Sequence, residues 1–375
     1  EIYYRGKNLA FGYMLPGGFE QYVLLSDEVL RGDDGCYLVP IHNPEIGYAE
    51  AALAEPWACV VCSYRWEHRR ELKHNGVLWI IGTPGAQERD YDLGSLVETS
   101  RPGRVILTDI PTALRDQVAD LVSRSGASVS VINGLDGLDP AAVVEQHCGE
   151  GGIDDVIVLG GDRPKVIEAC ATKLARFGIL VFVADEPILE PLSIDVGRIH
   201  YDGIRILGCP GPDVSKAYSE SRHTHLVPHG KLWVVGAGGP MGQMHVQWAL
   251  EQDKPPALLV ASDLDRDRLA LVATRFSAAA QSKGTRLVCL NPKELGPEDF
   301  DVRLSELAPE GFDDICCLVP VPTIIADCAR YLGPRGLLNI FAGVGRGTMA
   351  DINVTPLAAN QALLHGTSGS SIDDL

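Results

Sequence analysis

The sequence has few basic residues, few aromatic residues and no long apolar segment. Its 375 residues include 32 Lys and Arg against 50 Asp and Glu, for a formal charge of −18. A surface this acidic repels the phosphates of nucleic acids and anionic lipids, so we expect no nucleic-acid partner and no membrane. No apolar run approaches the ~18 residues that a membrane-spanning helix needs, and we recognise no signal peptide, so we expect a cytoplasmic protein.

The cysteines and the overall composition indicate a reduced, globular protein. Ten cysteines are scattered through the chain, several of them within apolar runs, such as Cys289, Cys316 and Cys317. Buried reduced thiols explain them better than a disulfide framework. The hydrophobic share of 46% suits sizeable cores, and the length predicts two or three domains. Because the chain starts at Glu1 without methionine, we expect either that its ends are disordered or removed, or that it is a piece of a longer protein.

The chain contains an internal repeat. Residues 76–82 resemble residues 230–236, and residues 205–208 resemble residues 363–366, in the same order and at a nearly constant offset. Such matches predict a duplicated domain. In each copy, short apolar runs alternate with amphipathic helices, which is typical of parallel strands buried on both faces.

We therefore predict an α/β fold with two tandem Rossmann-type, doubly wound parallel sheets. The first copy is residues 66–218 and the second is residues 226–375, joined by a connector rich in Pro, Ser and His. Residues 1–65 form a third unit that is present only in part. Within it, residues 17–23 alternate like an antiparallel strand and residues 48–64 have the pattern of a helix.

A glycine-rich loop in the second copy predicts a dinucleotide site. Residues 236–242 read Gly-Ala-Gly-Gly-Pro-Met-Gly, a G-x-G-x-x-G pattern between a strand and a helix. Glycines allow a tight turn, close approach of backbone to a diphosphate and close helix packing, and phosphates lie at the positive end of the helix. Asp263 closes the next strand, where a carboxylate accepts the ribose hydroxyls of NAD and repels the extra phosphate of NADP. The predicted contacts are Gly236, Gly238, Gly239, Pro240, Met241, Gly242 and Asp263.

Three points qualify this prediction. Arg266 and Arg268 follow Asp263 closely enough to soften the preference, so NAD is favoured and NADP is the less favoured coenzyme. A glycine-rich packing turn would give the same pattern. An S-adenosylmethionine site also uses a glycine loop and an acidic strand end.

The first copy departs from the pattern. Pro84 takes the place of Gly238, and Glu88 takes the place of Gly242, although Asp109 keeps the place of Asp263. A carboxylate beside a diphosphate is costly, because two like charges would have to be desolvated together. We predict that the first copy is a degenerate Rossmann unit that binds no nucleotide and serves domain packing or subunit contacts.

Topology nominates further contacts to the coenzyme. In open parallel sheets, ligands lie outside the carboxyl ends of the strands. Val319 and Pro320 follow one predicted strand and Ala342 and Gly343 follow another, so we predict that they contact the nicotinamide. Simple turn chemistry is the alternative.

These motifs resemble the zinc-type medium-chain dehydrogenase/reductase superfamily of alcohol and polyol dehydrogenases. Residues 17–22 resemble its Gly-Gly-Phe-Ala-Glu-Tyr strand, and residues 51–59 resemble its Ala-Ala-Leu-x-Glu-Pro-Leu-Ala helix. Residues 236–245 and 366–374 resemble most the sugar-phosphate members, such as the L-sorbose-1-phosphate reductases. The resemblance covers residues 11–65 and 226–375, while residues 66–218 resemble the coenzyme domain only as a duplicate that most relatives lack.

The resemblance implies hydride transfer between NAD(H) and the alcohol or ketone of a polyol, sugar or sugar phosphate, with zinc polarising the oxygen. It implies that residues 1–65 are part of a GroES-like β-barrel catalytic domain, whose Cys, His and acid zinc ligands would precede Glu1. Glu55 matches an acid beside the metal, with a helix N-terminal acid as the alternative. Gly366, Thr367 and Ser368 would face the nicotinamide, and pairing through coenzyme domains would give a homo-oligomer.

Two other functions are compatible with the sequence, and several residue clusters have structural interpretations. The protein could hold a dinucleotide for sensing or structure without catalysis, and a methyltransferase is the less favoured third reading. We interpret Cys59 and Cys62 as core thiols and His245 as packed between helix and sheet. Solvated surfaces explain the remaining clusters better than ligand sites; these are His223, His225 and His229 on the connector, and Arg65, His68, Arg69 and Arg70 on a helix face.

Overall fold

The structure is a computed structural model. It describes residues 2–5, 7–33, 35–135, 137–184, 188, 190–367, 369–370 and 374. These residues form two compact units: residues 1–62 with residues 369–375, and residues 63–368.

The first unit contains one strand pair and two helices. Strand β1 (Ile2–Tyr4) pairs antiparallel with β2 (Lys7–Leu9), and helices α1 (Asp27–Leu30) and α2 (Tyr48–Ser63) follow. Helix α2 forms where the sequence predicts it. The strand predicted over residues 17–23 is wrong, because β1 and β2 pair with each other and no other strand of this unit is described to supply a ladder partner.

The first copy lies in the second unit, and its described residues form seven strands and six α-helices. Its strands are β3 (Val77–Gly82), β4 (Arg104–Thr108), β5 (Ser128–Ile132), β6 (Ile153–Leu159), β7 (Leu174–Val183), β8 (Leu192–Asp195) and β9 (Arg205–Cys209). Its helices are α3 (Leu96–Thr99), α4 (Arg115–Ser125), α5 (Pro140–His147), α6 (Pro164–Ala171), α7 (Val196–Asp202) and α8 (Ser215–Ser219).

The second copy repeats this succession. Its strands are β10 (Lys231–Val235), β11 (Leu258–Ser262), β12 (Arg286–Leu290), β13 (Phe312–Cys317), β14 (Leu332–Ile340), β15 (Met349–Ile352) and β16 (Leu363–His365). Its helices are α9 (Pro240–Glu251), α10 (Arg266–Ser282), α11 (Pro292–Leu295), α12 (Pro297–Leu307), α13 (Pro322–Ala329) and α14 (Thr355–Asn360).

The two copies share one sheet of twelve strands. Its order is β12-β11-β10-β13-β14-β16-β9-β7-β6-β3-β4-β5, and all neighbours are parallel except β16 and β9, which pair antiparallel. Read outward from that pair, each strand of one copy has its counterpart at the same place in the other. Strands β15 and β8 also pair antiparallel across the copies. The predicted α/β class with a mostly parallel sheet is confirmed, and its two halves are joined about an approximate twofold axis.

Equivalent side-chain hydrogen bonds stabilise each half from within. Trp79 Nε1 donates to Thr108 Oγ1 at 3.0 Å, and Trp233 Nε1 donates to Ser262 Oγ at 2.9 Å. These indoles are buried, and each has its polar atom satisfied by a hydroxyl of the next strand, as a buried Trp requires. The duplication therefore extends from the strand order to individual hydrogen bonds.

A largely buried ion pair is also repeated, with its acid on the equivalent strands β6 and β13. Arg69 Nη1 lies 2.8 Å from Asp155 Oδ1, and Arg222 Nη2 lies 2.7 Å from Asp314 Oδ1. Burial raises the pKa of Asp155 and of Asp314 above the ordinary carboxyl value, while the facing arginines act in the opposite direction. The prediction that Arg69 belongs to a solvated helix face is wrong, because its segment is not helical and its guanidinium serves this pair.

Candidate dinucleotide site

The glycine loop of the second copy lies between β10 and α9 with the backbone that its glycines allow. Gly236 adopts φ +86°, a conformation that side-chain-bearing residues rarely take. A Cβ at Gly242 would lie 2.6 Å from Ala237 Cα, and one at Gly238 would lie 2.8 Å from Asp263 Oδ2. All three glycines are therefore required by this loop, whatever it binds.

The loop delivers the start of α9 as an uncapped helix terminus. Gly239 is the N-cap residue and Pro240 occupies the first turn, and the N-cap, a glycine, supplies no side-chain hydrogen bond at this end. The amides of Met241 and Gly242, in the first turn, have no intrahelical acceptor. Unpaired amides and the positive end of the helix dipole favour an anion here.

Asp263 is fixed beside the loop at the end of β11. Its Oδ2 accepts from the Gly238 amide at 2.8 Å, and its Oδ1 accepts from the Asp265 amide at 2.9 Å. Each carboxylate oxygen has a second lone pair, so the group can still accept two ribose hydroxyls.

Each neighbouring arginine has an acid other than Asp263 as its ion-pair partner. Arg268 Nε lies 3.6 Å from Asp265 Oδ2, and Arg266 Nε lies 3.5 Å from Glu294 Oε1. Both guanidiniums are mostly exposed and each has an acid beside it, so neither is committed to the 2′-phosphate that distinguishes NADP.

The other predicted contacts lie in a row along the carboxyl edge of the sheet. The chain order reverses direction between β10 and β13, and a Cβ at Gly236 would lie 3.1 Å from Val319 Cγ2 across that junction. The Ala342 amide donates to Cys317 O at 2.9 Å, and a Cβ at Gly366 would lie 3.0 Å from Ile340 O. The segments after β10, β13, β14 and β16 are thus neighbours, and this is the crevice in which doubly wound folds bind ligands.

Individual positions along this edge differ in exposure. Pro320 is exposed in a tight turn closed by the Val321 amide, which donates to Val319 O at 2.9 Å. Thr367 is buried, and its Oγ1 has no hydrogen-bond partner among the residues described. A buried hydroxyl without a partner fits a site that a polar ligand completes. Ser368 lies outside the described residues.

A carboxylate from the neighbouring loop, which follows β6, already contacts the corresponding loop of the first copy. Asp162 accepts from the hydroxyl of Thr83 and, at 3.2 Å, from the amide of Gly85. Residues 84–86 form a single 3₁₀ turn, where the second copy begins the twelve-residue helix α9. The first loop therefore offers no α-helix terminus, and Asp162 takes the amide that a phosphate would need.

Asp109 has the sequence place of Asp263 but a different orientation. It adopts φ +45°, and its carboxylate accepts from the amides of Gly134 and Leu135 at 3.2 and 2.8 Å. These contacts support the prediction that the first copy binds no nucleotide. Asp162 is not among the predicted residues; an acid three residues after the end of β6, the strand beside β3, is the sequence signal that points to it.

The predicted histidines differ in their environment: His225 and His229 are exposed, as the solvated connector predicts, whereas the others are packed or hydrogen-bonded. His245 on α9 is fully buried, with Nδ1 2.7 Å from Tyr64 Oη, and burial lowers its pKa to about 3. His223 has one ring nitrogen 3.0 Å from the His68 amide and the other 3.0 Å from Arg70 Nη2. The predicted solvated surface is wrong for His68, which is buried.

The predicted metal position, Glu55, contacts a cysteine of the same helix. On α2, Cys59 Sγ donates to Glu55 Oε1 at 3.3 Å. Burial, followed by the charge of Glu55, raises the pKa of Cys59 to about 12, so this thiol stays protonated and does not supply a thiolate. Within the described ranges, no group of three or more His, Cys, Asp or Glu could hold a metal ion. The described residues therefore do not fit a zinc site, and the role of Glu55 stays a prediction.

Comparisons with known proteins give relatives over part of the chain. No protein-family model matches. The chain is 33% identical over 205 residues to the uncharacterized protein YggP of Escherichia coli (strain K12), which covers 50% of this chain and 48% of that protein. It is 31% identical over 194 residues to L-sorbose 1-phosphate reductase of Klebsiella pneumoniae, covering 50% and 42%. It is 26% identical over 200 residues to mannitol-1-phosphate 5-dehydrogenase of Aliivibrio fischeri, covering 52% and 44%.

The predicted resemblance to sugar-phosphate dehydrogenases and reductases is confirmed by two of these relatives. The matched region spans less than half the length of each curated relative. Among solved structures, the chain is similar to an alcohol dehydrogenase zinc-binding domain protein from Burkholderia ambifaria, with 21% identity, a TM-score of 0.30 and coverage of 37% of this chain and 34% of that one. It is also similar to 2R,3R-butanediol dehydrogenase from Bacillus subtilis, with 18% identity, a TM-score of 0.33 and coverage of 42% and 40%. Within the described part of the chain, no helix has the length and apolar character to cross a membrane.

Proposed function

We propose that the second copy binds NAD(H), and that the protein is an oxidoreductase acting on the alcohol or ketone of a polyol, sugar or sugar phosphate. The observation that supports coenzyme binding most directly is the uncapped N-terminus of α9, with Asp263 hydrogen-bonded to the amide of Gly238 beside it. The first copy has the same fold with neither feature, so the fold alone does not produce them.

Each part of the site has one task in this proposal. The amides of Met241 and Gly242 bind the diphosphate, and Asp263 accepts the hydroxyls of the adenosine ribose. Val319, Ala342 and the buried hydroxyl of Thr367 border the nicotinamide end of the crevice. The bound coenzyme supplies hydride transfer, and the protein supplies its orientation and the exclusion of water.

The coenzyme we propose is NAD(H). Asp263 would lie against the 2′-position and repel a phosphate there, while Arg266 and Arg268 each face an acid. The substrate class comes from the names of two relatives, which act on L-sorbose 1-phosphate and mannitol 1-phosphate. Zinc assistance, cytoplasmic location and a homo-oligomer stay predictions of the resemblance and the composition, and we assign no step to zinc.

Replacing Gly239 tests coenzyme binding without damaging the fold. A Cβ at Gly239 meets no atom nearer than Gly236 O at 3.7 Å, so Gly239→Asp and Gly239→Ala both fit. Asp is a preferred N-cap residue and should raise stability by about 0.5–1 kcal/mol relative to Ala. Its carboxylate would accept from the amides that bind the diphosphate and would repel it, and the first copy offers a parallel in Asp162, which accepts from the Gly85 amide.

In calorimetry we expect one NADH site per chain in the wild type and near-normal affinity in Gly239→Ala. We expect no measurable NADH binding in Gly239→Asp, although its thermal midpoint should be at least as high as that of Gly239→Ala. Equal NADH affinity in both variants would show that the diphosphate lies elsewhere. Binding of S-adenosylmethionine in place of NADH would favour a methyltransferase. With the longest available form of the protein, NAD reduction by polyols and polyol phosphates separates an enzyme from a protein that only holds the coenzyme.

A further inference from the structure

Helix α7 of the first copy lies directly on a loop of the second copy's candidate site. A Cβ at Gly197, the second residue of α7, would lie 2.5 Å from the carbonyl carbon of Gly345 and 2.8 Å from the Arg346 amide. The helix and the loop that follows β14 therefore touch backbone to backbone, and only glycine at position 197 allows this approach.

An ion pair and an aromatic contact fix the same loop. Arg346 Nε donates to Asp202 Oδ1 at 2.8 Å, and the Arg346 guanidinium lies 5.1 Å from the centre of the Tyr201 ring. The Asp202 side chain is largely buried and that of Arg346 is half-exposed, so solvent screens this pair in part. The Gly347 amide donates to Asp195 Oδ2 at 2.8 Å, which extends the contact to the residue that caps α7.

Two residues of α7 reach the segments predicted to face the nicotinamide. A Cβ at Gly343 would lie 3.3 Å from Tyr201 Oη, and a Cβ at Gly366 would lie 3.0 Å from His200 Cα. His200 Nδ1 lies 3.1 Å from Ile340 O, at the end of the strand that leads into the loop. The first copy thus borders the crevice of the second at two of its four segments.

Helix α7 is itself rigidly attached to the first copy. Arg198 donates to the carbonyls of Thr172 and Leu174 at 2.9 and 2.6 Å, and its Nε donates to Asp202 Oδ2 at 2.6 Å. A helix anchored in this way can hold a neighbouring loop in one conformation.

We propose that the first copy, which has lost its own phosphate site, positions the nicotinamide half of the second copy's coenzyme site through α7, with Asp202 acting on the loop through Arg346. This inference rests on the proposed function, because it needs NAD(H) in the second copy. In this inference the first copy binds no coenzyme of its own and instead supports the coenzyme site of the second copy.

The test compares two ligands on the full chain. ADP-ribose carries the adenosine and diphosphate but no nicotinamide, so a defect confined to the nicotinamide half weakens NADH and leaves ADP-ribose unchanged. We expect Asp202→Asn to raise the Kd of NADH about 2- to 5-fold, the range expected for the loss of one partly exposed ion pair, with no change for ADP-ribose. The fluorescence gain of NADH on binding should fall as well, because the ring is held less firmly. Asp120→Asn, which removes an exposed pair with Arg124 in the same copy, should change neither ligand.

A double-mutant cycle establishes the route. If Asp202 acts through Arg346, Asp202→Asn should have no further effect on NADH affinity in an Arg346→Met background. Equal weakening of NADH and ADP-ribose by Asp202→Asn would indicate general damage and overturn the inference, and so would additive effects in the cycle. Normal NADH binding by Asp202→Asn would overturn it while leaving the proposed function intact. If the wild-type protein binds neither ADP-ribose nor NADH, that result would instead remove the proposed function.

Discussion

Removing the Asp263 carboxylate is the most discriminating single change in the candidate site. A hydrogen bond to a charged acceptor contributes about 1.5–3 kcal/mol, and the ribose diol would make two such bonds to a partly exposed group. We therefore expect Asp263→Ala to weaken NADH binding by about 2–3 kcal/mol, which corresponds to a ~30- to ~150-fold increase in Kd. The preference for NADH over NADPH should also narrow, because the charge that repels the 2′-phosphate is gone.

The duplication provides a matched control for this variant. Asp109 has the same sequence place in the first copy, but its carboxylate accepts from the amides of Gly134 and Leu135. Asp109→Ala should lower the free energy of unfolding by about 1–2 kcal/mol, because two amides lose their partner, and should leave the Kd of NADH unchanged. Isothermal titration calorimetry gives both Kd values, and urea denaturation gives both stabilities.

Two outcomes would refute the reasoning. An unchanged Kd in Asp263→Ala would mean that the ribose does not bind at the end of β11. A Kd that rises equally in Asp109→Ala and Asp263→Ala would mean that loop disorder, and not the lost acceptor, weakens the coenzyme.

Two further predictions concern pH and the first copy. Burial, followed by the charges of Arg205 and His200, lowers the pKa of His365 to about 3. The unfolded chain therefore binds a proton below pH ~6.5 that the folded chain does not, and stability should fall by about 1.4 kcal/mol per pH unit for this residue on acidification. Urea denaturation at pH 7 and pH 5.5 should show a smaller loss in His365→Leu than in the wild type, and an equal loss would contradict the shifted pKa. Asp162→Ala, which frees Thr83 and the Gly85 amide, should still show a single NADH site in calorimetry, because no α-helix begins at that loop; a second site would show that Asp162 alone prevents binding.

The strands could be predicted because each is a short apolar run between turns. The apolar runs predict strands over residues 104–108, 128–132 and 286–290, and β4, β5 and β12 have these bounds. The runs at residues 178–183 and 337–341 predict shorter strands than β7 and β14, which begin earlier and continue through a residue with left-handed backbone, Phe177 at φ +60° and Arg335 at φ +55°. The apolar spacing of residues 323–332 predicts a helix over that range, whereas α13 ends at Ala329 and β14 begins at Leu332.

The joining of the two copies could not be predicted from local pattern. Strand β16 has only three residues, and its pairing with β9 depends on two segments far apart in sequence. The orientation of a single carboxylate is equally inaccessible: Asp109 and Asp263 have the same place in the repeat, and only the backbone of Asp109, at φ +45°, turns its side chain away. Pattern therefore locates the candidate site, whereas its chemistry depends on contacts across the sheet.

The asymmetry between the copies follows from what each surface must do. Both copies supply half of the β16–β9 and β15–β8 pairings, so a change to either side of those pairings costs stability. The loops that follow β3 and β6 contribute no strand pairing. The first could therefore lose its helix terminus, and the second could acquire Asp162, without disturbing the sheet. In the first copy, the surface that contacts the second copy remains constrained. Helix α7 lies on this surface, against Gly345 and Gly366. Selection for a single coenzyme site, supported by the neighbouring copy, would therefore leave a duplicate that keeps its pairing surface and loses its ligand loop.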